Sequence, residues 1–302
     1  FIIFTFASSM ESFSGMVALI FLFSFFWNAS LPQFEAVTMT SLGSSYNNYS
    51  QIRLWGSLGF ILSVFSLSFL TQNYGIEVVP TCILSFLFLT FITTLFVKNT
   101  NANQKKHNNS LLSIALKPAV IGILLSCFLM QVSHGPFYAF FAIYLTENSY
   151  STNSIGFIWS LGVIAEILIF IKISSWIPKY GLQNLFIVSF LFASSRWLLI
   201  SFFPESVIIV TLATLFHAIT YGMYHAVSIS LIHEYFTEEL QGRGQALYSS
   251  ISFGLGGSIG SIYSGYFWES LGGSTVYLYA SLFAFLGLIV SLILVKSKYR
   301  NI

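Results

Sequence analysis

Long apolar segments of this sequence are interrupted by ionisable side chains, among them the carboxylates of Glu35 and Glu166, the guanidinium of Arg196, and the imidazoles of His217 and His225. A charge in such surroundings costs roughly 2.5 kcal/mol or more, so each of these groups must be paired or protonated. A carboxylate binds a proton when its cationic partner moves away and releases it when the partner returns. We expect Arg196 to be the partner that neutralises Glu166. Histidine titrates near neutrality and can relay that proton. The pattern predicts a proton path through apolar surroundings.

A second group of polar residues surrounds Arg53, the first charge of the stretch QIRLWGSLGF. Ser57 and Phe60 follow it at i+4 and i+7, on the same face of a helix. Glu35, in the preceding apolar run, is the expected partner of Arg53. Asn28, in the same run as Glu35, is expected to line a cavity together with them. Two alternatives stay open. Arg53 can be a positive charge that anchors a helix end, and the polar group around Glu35 can simply join two helices.

The predicted site has a binding part and a proton-coupling part. In the second half of the chain, Gln131 and His134 lie at i, i+3, and Tyr221 lies midway between His217 and His225. For any single histidine, a hydrogen bond between helices is the structural alternative. We predict that the substrate is bound by Asn28, Glu35, Arg53, Ser57, Phe60, Gln131, His134 and Tyr221, and that the proton is handled by Glu166, Arg196, His217 and His225.

Cysteine and histidine spacing argues against a metal site, a disulfide framework or an enzyme. Cys82 and Cys127 stand alone in apolar runs. His217, His225 and His233 are eight residues apart, which rotates each about 80° from the last on a regular helix. The sequence also shows no nucleophile beside a base. We therefore expect no metal, no catalytic residues and no cofactor other than a coupling proton.

The composition, 56% hydrophobic and 7% charged, is that of a membrane protein. Nine apolar runs are about as long as the ~20 residues that a helix needs to cross a bilayer. They lie near 14–40, 54–72, 78–97, 118–145, 153–173, 182–203, 206–234, 244–268 and 274–295. The run at 1–9 is too short to cross. We interpret the sequence as nine full spans plus part of a tenth, from an N-terminally truncated chain.

Loop charges predict the orientation of these spans. Basic residues cluster at every second boundary between runs, and the other boundaries carry glutamates and no basic residue. Short cytoplasmic loops retain basic residues, so the ends with Arg53, Lys179 and Arg243 are expected to face the cytoplasm and those with Glu77 and Glu205 the outside. We expect a multi-pass protein of the bacterial inner membrane with a cytoplasmic C-terminus.

The long polar connection 98–117 divides the chain into the rest of an N-terminal lobe, 1–97, and a C-terminal lobe of six spans, 118–302. A shift of 190 residues, from 53 to 243, places Arg53 on Arg243 and the string EAVT on HAVS. This internal repeat predicts two equivalent lobes of an all-α integral membrane protein. In transporters with such parallel repeats, the substrate site lies between the halves.

The strings FFWNASLPQFEAVTMTSL, RLWGSLGF, IWSLGVIAEILIF and SSRWLLI resemble, in the same order, those of the phenylpropionate-permease group of the major facilitator superfamily. Glu35 and Arg53 are spaced similarly to the substrate-binding pair of the oligosaccharide–proton symporters, and the RLWGS segment is similar to that of nucleoside–proton symporters. Glu166, Arg196 and His217 fall where the coupling residues of the sugar symporters lie. Thr220 departs from this pattern, because it stands where those symporters place a proton-carrying glutamate.

The resemblance implies the major facilitator fold of two six-helix lobes, which works by alternating access. We expect a symporter, not an enzyme, that imports a small organic solute together with protons. The preferred substrate is an aromatic monocarboxylate such as 3-phenylpropionate, because an arginine pairs with a carboxylate and aromatic rings stack on the substrate. A sugar or nucleoside is the alternative. The expected partners are this solute and membrane lipid, with no nucleic acid, and the protein is expected to be a monomer.

Overall fold

A computed structural model describes residues 1–42, 49–97, 110–236 and 240–297, and within these ranges the chain forms helices and connecting turns with no β-strand. The front part contains α1 (Ile2–Ser8), α2 (Phe13–Leu42), α3 (Tyr49–Tyr74) and α4 (Val78–Thr94). The short helix α5 (Leu111–Ala115) leads into the back part, which contains α6 (Pro118–Glu147), α7 (Thr152–Tyr180), α8 (Leu182–Phe202), α9 (Val207–Leu215), α10 (Tyr224–Tyr235), α11 (Gln241–Ser249) and α12 (Gly257–Leu294). The prediction of an all-helical protein is confirmed.

Two helices of the back part contain π-helical turns, in which the backbone winds more widely than in an α-helix. Residues Ala218–Met223 form one such turn between α9 and α10, and Ser250–Gly256 form another between α11 and α12. The helix α12 is also broken at Gly272, whose φ of 78° lies in the left-handed region that favours glycine. This break divides α12 near the boundary predicted between the last two apolar runs.

Among the described residues, five helical segments are long and apolar enough to cross a membrane: Pro118–Glu147, Asn153–Tyr180, Leu182–Phe202, Val207–Tyr235 and Gln241–Leu294. Shorter apolar segments occur at Phe13–Trp27 and Val78–Thr94. The chain is thus a multi-pass membrane protein. The count of nine crossings, the missing start and the orientation stay predictions, and most of the predicted connection 98–117 lies outside the described residues.

Small residues set the closest helix packing in the back part. A side chain at Gly135 of α6 would collide with the backbone of Gly260 in α12. At Gly256, an added Cβ would lie 2.7 Å from the carbonyl oxygen of Phe128. Glycine therefore allows the backbones of these helices to approach directly, as is typical of helix pairs in membranes.

The front and back parts meet along a few helices. Helix α3 packs against α7, and α2 packs against α11. Polar side chains from α2 and α3 therefore face those of α7, α10 and α11. This arrangement agrees with the expectation that the site lies between two halves of the molecule.

Candidate functional site

A cavity of about 370 Å³ lies at the contact between α3 and the back part. This volume is at the small end of the range typical of ligand sites, roughly 300 to 1,000 Å³. Its walls are Arg53, Gly56, Ser57, Phe60, Tyr138, Trp159, Val163, Glu166, His217, Tyr221 and Phe253. The cavity therefore combines one guanidinium, one carboxylate and one imidazole with a largely aromatic lining.

Six of the predicted site residues line this cavity. Arg53, Ser57 and Phe60 project from α3, in the i, i+4, i+7 relation read from the sequence. Glu166, His217 and Tyr221 face them from the back part.

The analysis of the sequence missed several wall residues. Trp159 and Val163 precede Glu166 by seven and three residues, so the helical period that identified the face of Arg53 could also have identified them. Tyr138 and Phe253 lie on other helices. Tyr138 follows the predicted residues Gln131 and His134 by seven and four positions in α6, so the helical period could have identified it as well, whereas Phe253 carries no such signal.

The Glu166 carboxylate accepts hydrogen bonds from both parts of the molecule. The Ser57 hydroxyl of α3 donates to Oε1 at 2.9 Å. Nε2 of His217, from the back part, lies 3.4 Å from Oε2. The helix backbone comes close here because of Gly222, where an added Cβ would lie 2.9 Å from Cγ of Glu166. Glu166 is thus a buried carboxylate that joins the two parts.

Arg196 fixes the orientation of His217. A guanidinium only donates hydrogen bonds, so its NH1 atom, 3.2 Å from Nδ1 of His217, requires that Nδ1 accept. The remaining proton of the neutral ring is then on Nε2, which donates to Glu166. The direct pairing expected between Arg196 and Glu166 is replaced by a chain in which His217 stands between them.

The surroundings of Arg196 are unusual for a charged group, since its side chain is fully buried. Its Cζ lies 4.1 Å from the ring centroid of Phe137 and 4.3 Å from that of Trp197, in cation–π contact with both rings. A second hydrogen bond from NH1 reaches the Thr220 hydroxyl at 3.1 Å. Thr220, where the sugar symporters have a glutamate, therefore supplies Arg196 with a neutral acceptor.

The rings of His217, Tyr221 and His225 form a stacked column. Neighbouring ring centroids are 5.2 and 5.8 Å apart, and the ring planes differ by 3° and 6°. A regular helix would rotate the two histidines about 80° apart. The π-helical turn Ala218–Met223 changes that rotation, so both histidines lie on one face. The angular separation predicted from the sequence is therefore wrong.

Arg53 reaches across the cavity to the back part. Its NH2 atom donates to the Tyr221 hydroxyl at 3.4 Å, and its Cζ lies 5.7 Å from the ring centroid of Phe170. The guanidinium lies over Gly56, where any side chain would collide with it. Nε of Arg53 is buried and makes no hydrogen bond within the described part of the chain.

The expected pairing of Glu35 with Arg53 is not what the structure shows. Oε1 of Glu35 lies 3.6 Å from Nε2 of His225, and the same nitrogen lies 3.1 Å from the Tyr49 hydroxyl. All three side chains are buried, and none of them is a wall residue of the cavity. Glu35 is therefore separated from the substrate group in which it was placed.

Two further predicted binding residues also lie away from the cavity wall. His134 is buried, with Nδ1 2.8 Å from the Met130 carbonyl oxygen and its ring edge-on to Trp197. Gln131 is buried nearby in α6. Both residues thus lie outside the cavity in which they were placed, and the hydrogen bond of His134 to Met130 stays within α6 rather than joining two helices. The side chain of Asn28 lies outside the described residues.

An apolar extension of about 230 Å³ adjoins the cavity. It shares the walls Phe60, Trp159 and Val163 with the main cavity. Beyond them it is lined by Ile61, Gly156 and Ser160. The polar and charged groups thus line the main cavity, and the extension beside it has mostly apolar walls. Among the described residues there is no group of three or more His, Cys, Asp or Glu that could hold a metal ion.

An all-helical membrane protein with a charged cavity between two helical parts has the architecture of a secondary transporter. A family model described as the MFS_1 like family matches residues 1–279. The chain belongs to this family, and the predicted relation to the major facilitator superfamily is confirmed.

The curated relatives of this chain include two named transporters. The chain is 23% identical over 254 residues to the probable 3-phenylpropionic acid transporter of Escherichia coli (strain K12). This alignment covers 83% of this chain and 66% of the relative. It is 24% identical over 295 residues to the maltose permease of Geobacillus stearothermophilus, and this alignment covers 95% of this chain and 73% of the permease. The chain thus spans about two thirds to three quarters of the length of these relatives.

Solved structures show the same fold. A crystal structure of a mutant of the nucleoside transporter NupG superposes with a TM-score of 0.72 at 17% sequence identity. The match covers 98% of this chain and 80% of that chain. At this identity, the similarity establishes the shared fold.

Proposed function

We propose that the protein is a proton-coupled secondary transporter that imports a small organic monocarboxylate with an aromatic ring by alternating access. The observation that carries the proposal is the cavity between the front and back parts, whose lining combines Arg53 and Glu166 with four aromatic rings and Tyr221. An arginine binds a carboxylate with two parallel hydrogen bonds, and aromatic rings pack on an aromatic solute. The protein would act in the inner membrane as a monomer, with its C-terminus in the cytoplasm.

The charges of the cavity account for coupling. Arg53 and Glu166 together make the empty cavity neutral when His217 is neutral. A bound carboxylate alone would leave one net negative charge, and a bound proton alone one net positive charge. Either unbalanced charge is costly in a closed, dehydrated cavity. The conformational change is therefore easiest when the cavity is empty or when it holds both proton and solute, which is the behaviour of a symporter.

Glu166 is the proposed proton carrier. Its ionised carboxylate accepts from Ser57 of the front part and from His217 of the back part, so it joins the two parts. A proton on Glu166 removes the negative charge and turns one oxygen into a donor, which weakens the contact with Ser57. Proton binding would thus loosen the joint between the parts at the same time as it prepares the cavity for an anion.

A sugar or nucleoside is the second candidate substrate. Hydroxyl groups of Ser57, Tyr138 and Tyr221 lie among the cavity walls and could bind the hydroxyls of such a solute. An uncharged solute would remove the charge balance described above. It would also leave the Arg53 guanidinium without an anionic ligand.

Uptake into liposomes tests the proposal. The complete protein would be reconstituted and given an inward proton gradient with a panel of labelled solutes: 3-phenylpropionate, its uncharged amide, maltose and uridine. We expect accumulation of 3-phenylpropionate that is abolished by an uncoupler and competed by other aryl-carboxylates. Accumulation of maltose or uridine instead would establish the second candidate.

A larger side chain at Gly156 should change the range of accepted solutes. An added Cβ there meets no atom within 4 Å, and the residue lines only the apolar extension. We expect Gly156→Leu to leave uptake of short aryl-carboxylates within about twofold and to weaken that of homologues with longer apolar ends by about tenfold, since a buried CH₂ contributes about 0.8 kcal/mol.

Gly257 provides the matched control for this substitution. It also has open space around its Cβ position, but it lines neither the cavity nor the extension. Gly257→Leu should therefore affect the uptake of aryl-carboxylates with short and with long apolar ends to the same degree. Equal discrimination by the two variants would show that the extension takes no part in solute binding.

A further inference from the structure

The contact between Glu35, Tyr49 and His225 lies one helical turn beyond the cavity. His217 and Tyr221 line the cavity. His225, near the start of α10, follows Tyr221 by four residues in the direction of the C-terminal end of that helix. On α3, Tyr49 precedes the wall residue Arg53 by four residues. By the loop charges, both displacements point toward the cytoplasmic end of the molecule. The apolar extension of the cavity, at Phe60 and Gly156, points the other way.

The members of this contact come from both parts of the molecule. Glu35 belongs to α2 and Tyr49 to α3, whereas His225 belongs to α10. Their exposed fractions are 7%, 4% and 1%. The internal repeat explains why the two ionisable members meet: His225 is the residue that a shift of 190 positions, from 35 to 225, places on Glu35. Equivalent residues of two lobes related by an axis between them face each other when they lie near that axis.

The contact is built to hold a proton. His225 Nε2 has both the Tyr49 hydroxyl and a Glu35 oxygen within 3.6 Å. Glu35 Oε2 and His225 Nδ1 make no hydrogen bond within the described part of the chain. Without an added proton, the pair is a buried carboxylate beside a neutral ring. One proton makes the pair neutral overall, whether it resides on the imidazole or on the carboxylate, and so removes the uncompensated negative charge within the pair.

The neighbouring ionisable groups do not compete for that proton. Among the described residues, those that face the pair are Tyr49 and Arg53 from α3, Tyr221 stacked on His225, and Tyr248 from α11. Tyrosine hydroxyls and arginine keep their protons between pH 5 and 8. The proton is therefore assigned to Glu35 and His225, and Arg53 adds a fixed positive charge beside them.

We propose that Glu35 and His225 form a second proton-binding site, distinct from Glu166, whose proton holds the front and back parts together on the cytoplasmic side of the cavity. The inference rests on the alternating-access function proposed above. Separation of the parts takes Glu35 away from His225 and exposes both to water, so the closed form binds the proton more tightly than the open form. By linkage, the closed form is then stabilised at low pH, and this stabilisation is lost as the pH rises. The alkaline cytoplasm would draw the proton out and favour opening.

Distance measurements between spin labels test this site without any solute. Labels would be attached to Gln51→Cys in the first turn of α3 and to Lys179→Cys in the last turn of α7. Both positions are exposed, and the complete protein would also carry Cys82→Ser and Cys127→Ala. The ratio of closed to open populations would be recorded from pH 5.5 to 8.5. We expect that ratio to fall with rising pH, by at most tenfold per pH unit for one linked proton.

Three variants identify the group that binds the proton. Glu35→Gln and His225→Asn should each reduce the fall of this ratio with rising pH to less than twofold over the whole range. Glu166→Gln should keep that fall or make it steeper, because a proton on Glu166 acts in the opposite direction. Two separate substitutions at the pair guard against one that fails to fold. A wild-type ratio independent of pH, a dependence that Glu166→Gln removes, or one that Glu35→Gln and His225→Asn both retain would overturn the proposal. Because this experiment measures no transport, its result can be interpreted even when the substrate assigned above is incorrect.

Discussion

Glu166→Gln is expected to abolish uphill uptake and to leave exchange of internal for external solute intact. Glutamine keeps the shape of the side chain and an oxygen that accepts from Ser57 or His217, so the local fold should survive. It cannot bind the proton, and a cavity that never changes charge cannot link solute movement to the proton gradient. In liposomes with an inward proton gradient, the internal solute concentration should rise only to the external value.

Two comparisons make the Glu166 result interpretable. Counterflow in the same liposomes requires the conformational change but no net proton movement, so it should proceed at close to the wild-type rate. Glu205→Gln, in an exposed turn, serves as the matched variant and should transport normally. Uphill uptake by Glu166→Gln would assign the coupling proton to another group, and loss of counterflow would assign Glu166 a purely structural role.

Arg53→Lys is expected to weaken solute binding by about 10- to 100-fold while the protein still folds and inserts. Lysine preserves the positive charge but not the planar pair of donors that a carboxylate receives from arginine. The loss of one hydrogen bond to a charged group is worth roughly 1.5 to 3 kcal/mol, which corresponds to this range. Binding of an aryl-carboxylate to purified protein, measured by calorimetry, gives the affinity directly.

Arg243 is the internal control for this substitution. It occupies the position equivalent to Arg53 in the repeat, but its side chain is exposed in α11 and lines no part of the cavity. Arg243→Lys should therefore change the affinity by less than about twofold. Equal affinities of the two variants would mean that Arg53 is only a charge at the start of a helix, and the binding site would have to be sought elsewhere.

Helical periodicity explains which parts of the site could be predicted. Apolar runs of membrane-spanning length marked the helices, and the i, i+4, i+7 relation placed Arg53, Ser57 and Phe60 on one wall of the cavity. These features depend on neighbours in the sequence. The pairing of Glu35 depends on which helices become neighbours in space, and its ion-pair contact is with His225 rather than with Arg53. The repeat that matched EAVT with HAVS carried the information that its partner is His225.

Local departures from regular helix geometry explain the other misses. The assumption of a uniform helix separated His217 from His225, whereas the π-helical turn between them brings their rings into one column with Tyr221. No residue type in that turn signals such a departure. Arg196 is buried in an apolar helix, as its place in the sequence indicated, but only the packing of α8 against the π-helical turn shows that His217 stands between it and Glu166.

The most direct test of the central claim is proton movement driven by the solute itself. The complete protein would be reconstituted in liposomes with no pH gradient, and an external pH-sensitive dye would follow the medium after 3-phenylpropionate is added outside. We predict alkalinisation of the external medium that matches solute entry, that is absent with Glu166→Gln and that persists with Glu205→Gln. Entry of the solute with no accompanying change of external pH would contradict a proton symporter built around Arg53 and Glu166.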